Sequence, residues 1–293
     1  MPFAIPTPRF VLIKELTGDG GRCNGDIHVT IDCQTNSLVI RKTLHKRDPL
    51  TGRASVDKVQ ELKRVSGHPN IVRFIDFVPG SNNAGDELYL EYCRAPRGNG
   101  LGEINTLRQL CQLYEEKGAN TPELFAWHLV ESLLKAISWM QFGIRDVAVN
   151  QADPNWDAVF QGAIWSPNLF LMSDQEQSQS EYPRIVLGDF GCAEFASDLK
   201  EMSEMERRVQ ASYPIADLKE MLLLMRPFCH SSVEHGTLRK CDVQLSDRHS
   251  WRVSEELRGI VLRLRELKDE DPSIIDLLKT LKGDTPCPRH VEI

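Results

Sequence analysis

The sequence predicts an α+β protein in two parts: a small antiparallel five-stranded lobe with one helix over residues 10–92, and a larger, mostly helical lobe over 93–282. Three observations carry this. The first ninety residues are dominated by short β-branched runs separated by turn residues. Past residue 121 the apolar residues recur at helical spacing. Within the second region lies a short apolar run, Ile185-Val186-Leu187, that ends in Gly188-Asp189-Phe190-Gly191. Residues 1–9 and 283–293 are expected to be tails.

The elements follow in order. Residues 10–16 and 26–31 read as strands around a glycine-rich turn, and residues 37–44 as a third. Residues 56–65 carry Val59, Leu62 and Val65 at helical spacing and stop at Gly67-His68-Pro69. Two further strands are expected at 71–77 and 87–92, joined by a polar turn over 79–85. Residues 94–102 form a glycine-rich connector. Thr121 is the expected N-cap of a long helix with Pro122 in its first turn. Phe125, Leu129, Leu133, Ile137 and Met140 place an apolar stripe along one face of that helix. Residues 151–159 read as a loop, and 173–180 as a polar insert between two strands. Further helices are expected at 218–225, 254–264 and 271–279.

Composition narrows the function classes. A net charge of −7 over 293 residues argues against a nucleic-acid or anionic-membrane surface. The eight cysteines form no C-x-x-C pair, so neither a zinc site nor a disulfide framework is implied, and reduced thiols in a cytoplasmic or nuclear protein are expected. The N-terminus lacks a basic region followed by an apolar core, and no apolar run reaches membrane-spanning length.

The chemistry-bearing residues form an ordered series. Gly20 and Gly25 are the outer glycines of a G-x-G-x-x-G-like turn, with Arg22 in the middle place and Ile27 beginning the next strand. Glycine there would let backbone N–H groups approach phosphates closely. Val39-Ile40-Arg41-Lys42 has the spacing that offers Lys42 to α- and β-phosphates, while Arg41 alternates to the other face. Two residues compete to face Lys42 from the helix. Counting forward from Lys42 gives Glu61; counting back from His68-Pro69-Asn70-Ile71-Val72 gives Lys58, the first choice. His68 is expected to pack a loop. Leu90 would guard the back of an adenine site, with main-chain groups of Glu91 to Cys93 facing the base. Asn168 and Asp189, each beside a short strand, are the candidate metal ligands. Residues 144–150 imitate a catalytic loop, but Asp146 and Asn150 are one residue too close and no strand follows them.

On these motifs the chain resembles the eukaryotic protein kinases over roughly residues 10–282, in particular Ser/Thr kinases of filamentous fungi, in which a tryptophan-containing loop leads into the catalytic loop. The resemblance implies a bilobal fold with ATP and magnesium between the lobes. Departures are equally plain. Where kinases carry His-Arg-Asp-x-Lys-Pro-x-Asn, this chain has Gln161-Gly162-Ala163-Ile164-Trp165-Ser166-Pro167-Asn168. Ala163 stands at the catalytic aspartate, Gln161 at the histidine and Trp165 at the phosphate-binding lysine. No A-P-E follows Gly191, and residues 228–251 are too few for the usual substrate-docking helices.

The expected function is that of a pseudokinase: a binding or scaffold module that takes ATP weakly and with magnesium, and whose partner is another protein. Residues 173–180 and 201–208 are its candidate docking elements. The alternative is a weakly active Ser/Thr kinase, because phosphoryl transfer rests mainly on positioning and metal electrostatics, and a general base adds about 10²–10⁴-fold. A small-molecule phosphotransferase of the aminoglycoside type is disfavoured, since it too needs the aspartate that Ala163 replaces.

Overall fold

The computed structural model describes residues 8–16, 24–47, 52–81, 85–94, 104–145, 152–173, 182–201, 213–229 and 253–266. The glycine turn around Gly20 and Arg22, the decoy Asp146, most of the polar insert, the charged stretch after Glu201 and the helix expected at 271–279 lie outside these residues.

The chain is α+β. Strands β1 (Phe10–Leu16), β2 (Asn24–Asp32), β3 (Ser37–Leu44), β4 (Phe74–Val78) and β5 (Asp86–Glu91) form an antiparallel sheet in the order β1-β2-β3-β5-β4. Helix α1 (Ser55–Val65) enters between β3 and β4 and buries Val59, Leu62 and Val65, the spacing read from the sequence. The expected strand at 71–77 starts later, at Phe74. Ile71 and Val72 are drawn the other way: Ile71 forms a parallel bridge with Leu187, Val72 N–H donates to Leu187 O (2.8 Å), and Leu187 N–H donates to Asn70 O (2.9 Å). This junction joins the sheet to a second hairpin. His68 is a packing residue, as expected. It is buried, its Nδ1 accepts from Asn70 N–H (3.1 Å), and burial lowers its pKa to about 4.

Helix α2 (Leu107–Glu116) was not anticipated, although its signature is present. The Thr106 hydroxyl accepts from Gln109 N–H (3.3 Å), and the Gln109 side chain accepts from Thr106 N–H (3.1 Å), a reciprocal capping box. Helix α3 (Glu123–Phe142) begins one residue later than a Thr121 cap would require, because Pro122 takes the cap position and its carbonyl accepts from Phe125 N–H (3.0 Å). The expected stripe Phe125, Leu129, Leu133, Ile137 and Met140 is buried, and the buried face is wider than that stripe, taking in Ser132 and Ser138, while Glu131 and Lys135 pair on the more exposed face.

Around α3 lie the hairpin β7 (Leu169–Met172) with β8 (Arg184–Leu187), and the short pair β6 (Val159–Phe160) with β9 (Glu194–Phe195). Val159 therefore belongs to a strand, not to the loop expected over 151–159. Two residues make too short a run for an alternation signal. Helices α4 (Ala196–Glu201), α5 (Tyr213–Cys229) and α6 (Glu255–Glu266) complete the described chain, with α5 packed between α3 and α6. None of the described helices is long and apolar enough to cross a membrane.

Helix α3 closes on Gly143 in the left-handed region (φ 67°), and a Cβ there would meet the Trp156 ring at 2.8 Å. Both the backbone conformation and the indole exclude a side chain. Gly143→Ala is expected to lower stability by about 1–3 kcal/mol, measured as a fall in denaturant midpoint at unchanged slope.

Candidate functional site

Of the residues singled out in the sequence, Lys42, Lys58, Leu90 and Asp189 line a cleft between the sheet, α1 and the turn after β8, whereas Ile27, Glu91, Cys93 and Asn168 are not among its lining residues. Register fixes Lys42, which lies on β3 opposite Leu88 of β5 and Ile27 of β2. The side-chain period of two turns Arg41 to the other face, where it pairs with Glu87 (3.2 Å). Lys42 Nζ reaches Asp189 Oδ1 at 3.1 Å, joining two residues 147 positions apart. Leu90, Val59, Leu62 and Phe190 supply apolar walls, and Lys58 shares the same cleft.

Asp189 sits in the left-handed region (φ 53°, ψ 70°), an uncommon conformation for a side-chain-bearing residue. Its surroundings hold it there. Gln161 Nε2 donates both to Gly188 O (3.1 Å) and to Asp189 O (2.9 Å). Gly188 N–H donates to Asn168 O (2.9 Å), and a Cβ on Gly188 would meet Phe170 Cε2 at 2.6 Å. The buried Gln161 thus fixes the Asp-Phe-Gly turn by amide hydrogen bonds. Phe190 is buried below α1.

The loop over 161–168 is satisfied from within and from below. Gln161 Oε1 accepts from Ala163 N–H (2.7 Å), and Ala163 O accepts from Trp165 N–H (2.9 Å) and from Asn168 Nδ2 (3.0 Å). From α5, the Asp217 carboxylate accepts from Gln161 N–H (3.1 Å) and Gly162 N–H (2.9 Å). One helical turn on, Glu220 accepts from Ile164 N–H (2.5 Å) and Trp165 Nε1 (3.0 Å). Asp217 and Glu220 were not singled out in the sequence. Their i, i+3 spacing in a largely apolar helix was the one signal available. Trp165 is 60% exposed despite its size.

The competition between Lys58 and Glu61 resolves geometrically. Lys58 lines the cleft and donates from Nζ to Gly191 O (2.8 Å). Glu61 is wholly buried against the Arg53 guanidinium. Arg53 also pairs with Asp198 (3.2 Å) and Glu194 (3.9 Å) and donates to Ala193 O (3.1 Å). Sequence reasoning missed Arg53, which lies in a loop and, besides the nearby Glu61, reaches Ala193, Glu194 and Asp198 across 140 residues or more. This clasp ties α1 to β9 and α4.

Of the remaining residues, Leu90 is buried at the cleft wall. Glu91 is tied to Arg73 by a backbone bond to Arg73 O (3.0 Å) and a carboxylate that accepts from Arg73 N–H (2.7 Å). Cys93 is buried, which pushes its thiol up to about 12 and leaves it inert at neutral pH. Gly25 lies within β2, where the pairing with β3 is irregular between Asn24 and Ile27. Asn168 and Asp189 are the oxygen donors nearest in kind to a magnesium set. Among the described residues no group of three His, Cys, Asp or Glu side chains is placed to hold a metal ion. No known protein family matches the chain, and no curated protein matches it.

Burial raises two carboxyl groups to about 7: Glu61, in spite of the Arg53 guanidinium that pulls the other way, and Asp217, in spite of its two backbone N–H donors. Each folded value lies above the unfolded one, so the stability associated with protonation is full below pH ~4 and is lost as the pH rises through about 7. The melting temperature is expected to be higher near pH 5 than near pH 8, and Glu61→Gln should reduce that difference. A profile that is flat, or that rises with pH, contradicts the assignment.

Proposed function

We propose that this chain is a protein-kinase-like pseudokinase: a two-lobed module that binds ATP in the cleft between its sheet and its helical part and works by binding another protein, without transferring phosphate. One observation carries the reading. The cleft keeps the paired Lys42 and Asp189 at 3.1 Å, while the place of the base is Ala163, whose N–H and C=O are both taken up inside the loop. An alanine side chain can neither accept a proton nor orient a hydroxyl, so general-base help of about 10²–10⁴-fold is absent. Trp165, where a phosphate-binding lysine would stand, is turned to Glu220 and offers no positive charge.

Adenine would lie against Leu90 and the main chain of Glu91 to Cys93, and the phosphates would face Lys42. Asp189 and Asn168 would hold magnesium. One carboxylate with phosphate and water oxygens is an ordinary magnesium environment, and the ion would neutralise phosphate charge. Retention of these same three residues favours the second reading, a weakly active Ser/Thr kinase.

Phosphotransfer separates the two. With Mg-ATP labelled at the γ-phosphate, neither autophosphorylation nor transfer to generic protein acceptors is expected above a no-enzyme control. Turnover that Asp189→Ala abolishes would establish the kinase reading in its place.

A further inference from the structure

Two tryptophans lie side by side where the C-terminal ends of α1 and α3 meet: Trp139 and Trp156, with ring centroids 4.8 Å apart. Both are half-buried and spend their N–H groups inward, Trp139 on Val65 O (2.8 Å) and Trp156 on Met140 O (2.8 Å). Each carries a guanidinium on its ring. Arg64 lies 4.3 Å from the Trp156 centroid, and Arg145 lies 5.2 Å from that of Trp139. Arg145 also donates to Gly67 O (2.8 Å). Lys63, beside Arg64, lies 5.0 Å from the Phe74 centroid.

All three cations are exposed, and none of them forms an ion pair with a described residue. They differ in this from Arg9, Arg41, Lys42, Arg53 and Lys135, each of which meets a carboxylate. The carboxylates of the adjoining segments are engaged elsewhere. Glu131 pairs with Lys135 (2.6 Å), Asp153 accepts from Asn155 N–H (2.9 Å), and Asp157 accepts from the Ser197 hydroxyl (2.6 Å). Helix ends explain part of the arrangement. Lys63 and Arg64 occupy the last turn of α1, and Arg145 follows the C-cap of α3. Each helix C-terminus carries about half a unit of negative charge, so two of them offset roughly one cation of the three. The face stays positive.

We propose that this face, with Arg64 and Arg145 on the Trp139–Trp156 pair and Lys63 beside them, docks an acidic segment of a partner protein, rich in Asp and Glu. A guanidinium offers a planar fork that takes a carboxylate through two N–H···O bonds. Stacking on an indole has already restricted each fork, so less entropy is lost on docking. Nucleic acid fits the face poorly, because its binding commonly draws on about 6–10 phosphate contacts and the chain as a whole carries a net charge of −7. The site is separate from the cleft and independent of nucleotide.

Fluorescence anisotropy of the full chain with a short labelled poly-glutamate peptide tests the proposal, with oligothymidylate and phosphatidylserine vesicles as alternative ligands. Poly-glutamate is expected to bind, less tightly as salt is raised, and to bind more tightly than either alternative. Arg64→Gln with Arg145→Gln, which keeps amide donors and removes the charge, should weaken binding about tenfold or more. Lys63→Glu, which disturbs neither indole, should weaken it as well, and circular dichroism should show these variants folded. Lys14→Glu with Lys117→Glu, a charge change at exposed positions elsewhere, should have far less effect, and Lys42→Ala none. Failure of poly-glutamate to bind the unaltered chain overturns the proposal. Equal loss in the Lys14 and Lys117 variant also overturns it, since attraction would then follow overall charge. Tighter binding of oligothymidylate or of vesicles would give the face to nucleic acid or to a membrane, and loss on Lys42→Ala would move the site to the cleft; each outcome overturns the proposal. The pseudokinase reading is decided separately, by phosphotransfer.

Discussion

The arrangement of the cleft depends on a buried carboxylate, Asp217, and the glutamine it positions. Asp217 sits under the 161–168 loop and accepts two successive backbone N–H groups, at Gln161 and Gly162. With the backbone of Gln161 fixed, its side-chain amide reaches up to the carbonyls of Gly188 and Asp189 and back to Ala163 N–H. A left-handed aspartate next to a buried phenylalanine is a conformation the chain would not hold unaided. Three layers therefore depend on one another: a helix carboxylate, a loop amide and the turn that aims Asp189 at Lys42. Unsatisfied buried amide groups cost about 1–3 kcal/mol each, so the chain is more stable with this network complete than with any member missing.

A second constraint acts from the opposite side. Arg53 gathers Glu61, Glu194 and Asp198 into one clasp and so decides which residues of α1 face the cleft. Breaking a buried ion pair from one side leaves an uncompensated charge, which is costly, and this holds Glu61 where it is. The electrostatic character of the cleft follows. Lys42, paired with Asp189, and Lys58, bonded to Gly191 O, line the same cleft.

Much of this was legible in the sequence wherever short-range patterning governs. The β1 and β3 boundaries, α1 and the β7–β8 hairpin follow from β-branched runs and from the 3.6 period, and the five-stranded sheet follows from their order. Lys42 and Asp189 were each legible as motif residues, but their direct pairing at 3.1 Å was not, because it joins strands far apart in the chain. Legibility failed where the determinant is a long-range contact. Arg53 finds Glu194 and Asp198 in the region after β8, and the capture of Ile71 by Leu187 shortens β4. Asp217 and Glu220 are polar residues in an apolar helix, and nothing local says which loop they support. The choice between Lys58 and Glu61 was open for the same reason, since both lie in one helical turn and only the position of Arg53 decides between them. Helix α2 is a different case, because its capping box, Thr106 with Gln109, is a local signal present in the sequence.

The central claim is that the 161–168 loop is a structural support for the Asp-Phe-Gly turn, held from below by Asp217. Native-state amide hydrogen exchange addresses it most directly. The N–H groups of Gln161 and Gly162 should exchange as slowly as those in the core of α3, and Asp217→Ala should release these two amides together with Gly188 while α3 remains protected. Rapid exchange of Gln161 and Gly162 in the unaltered protein, at the rate of an exposed loop, would contradict the account.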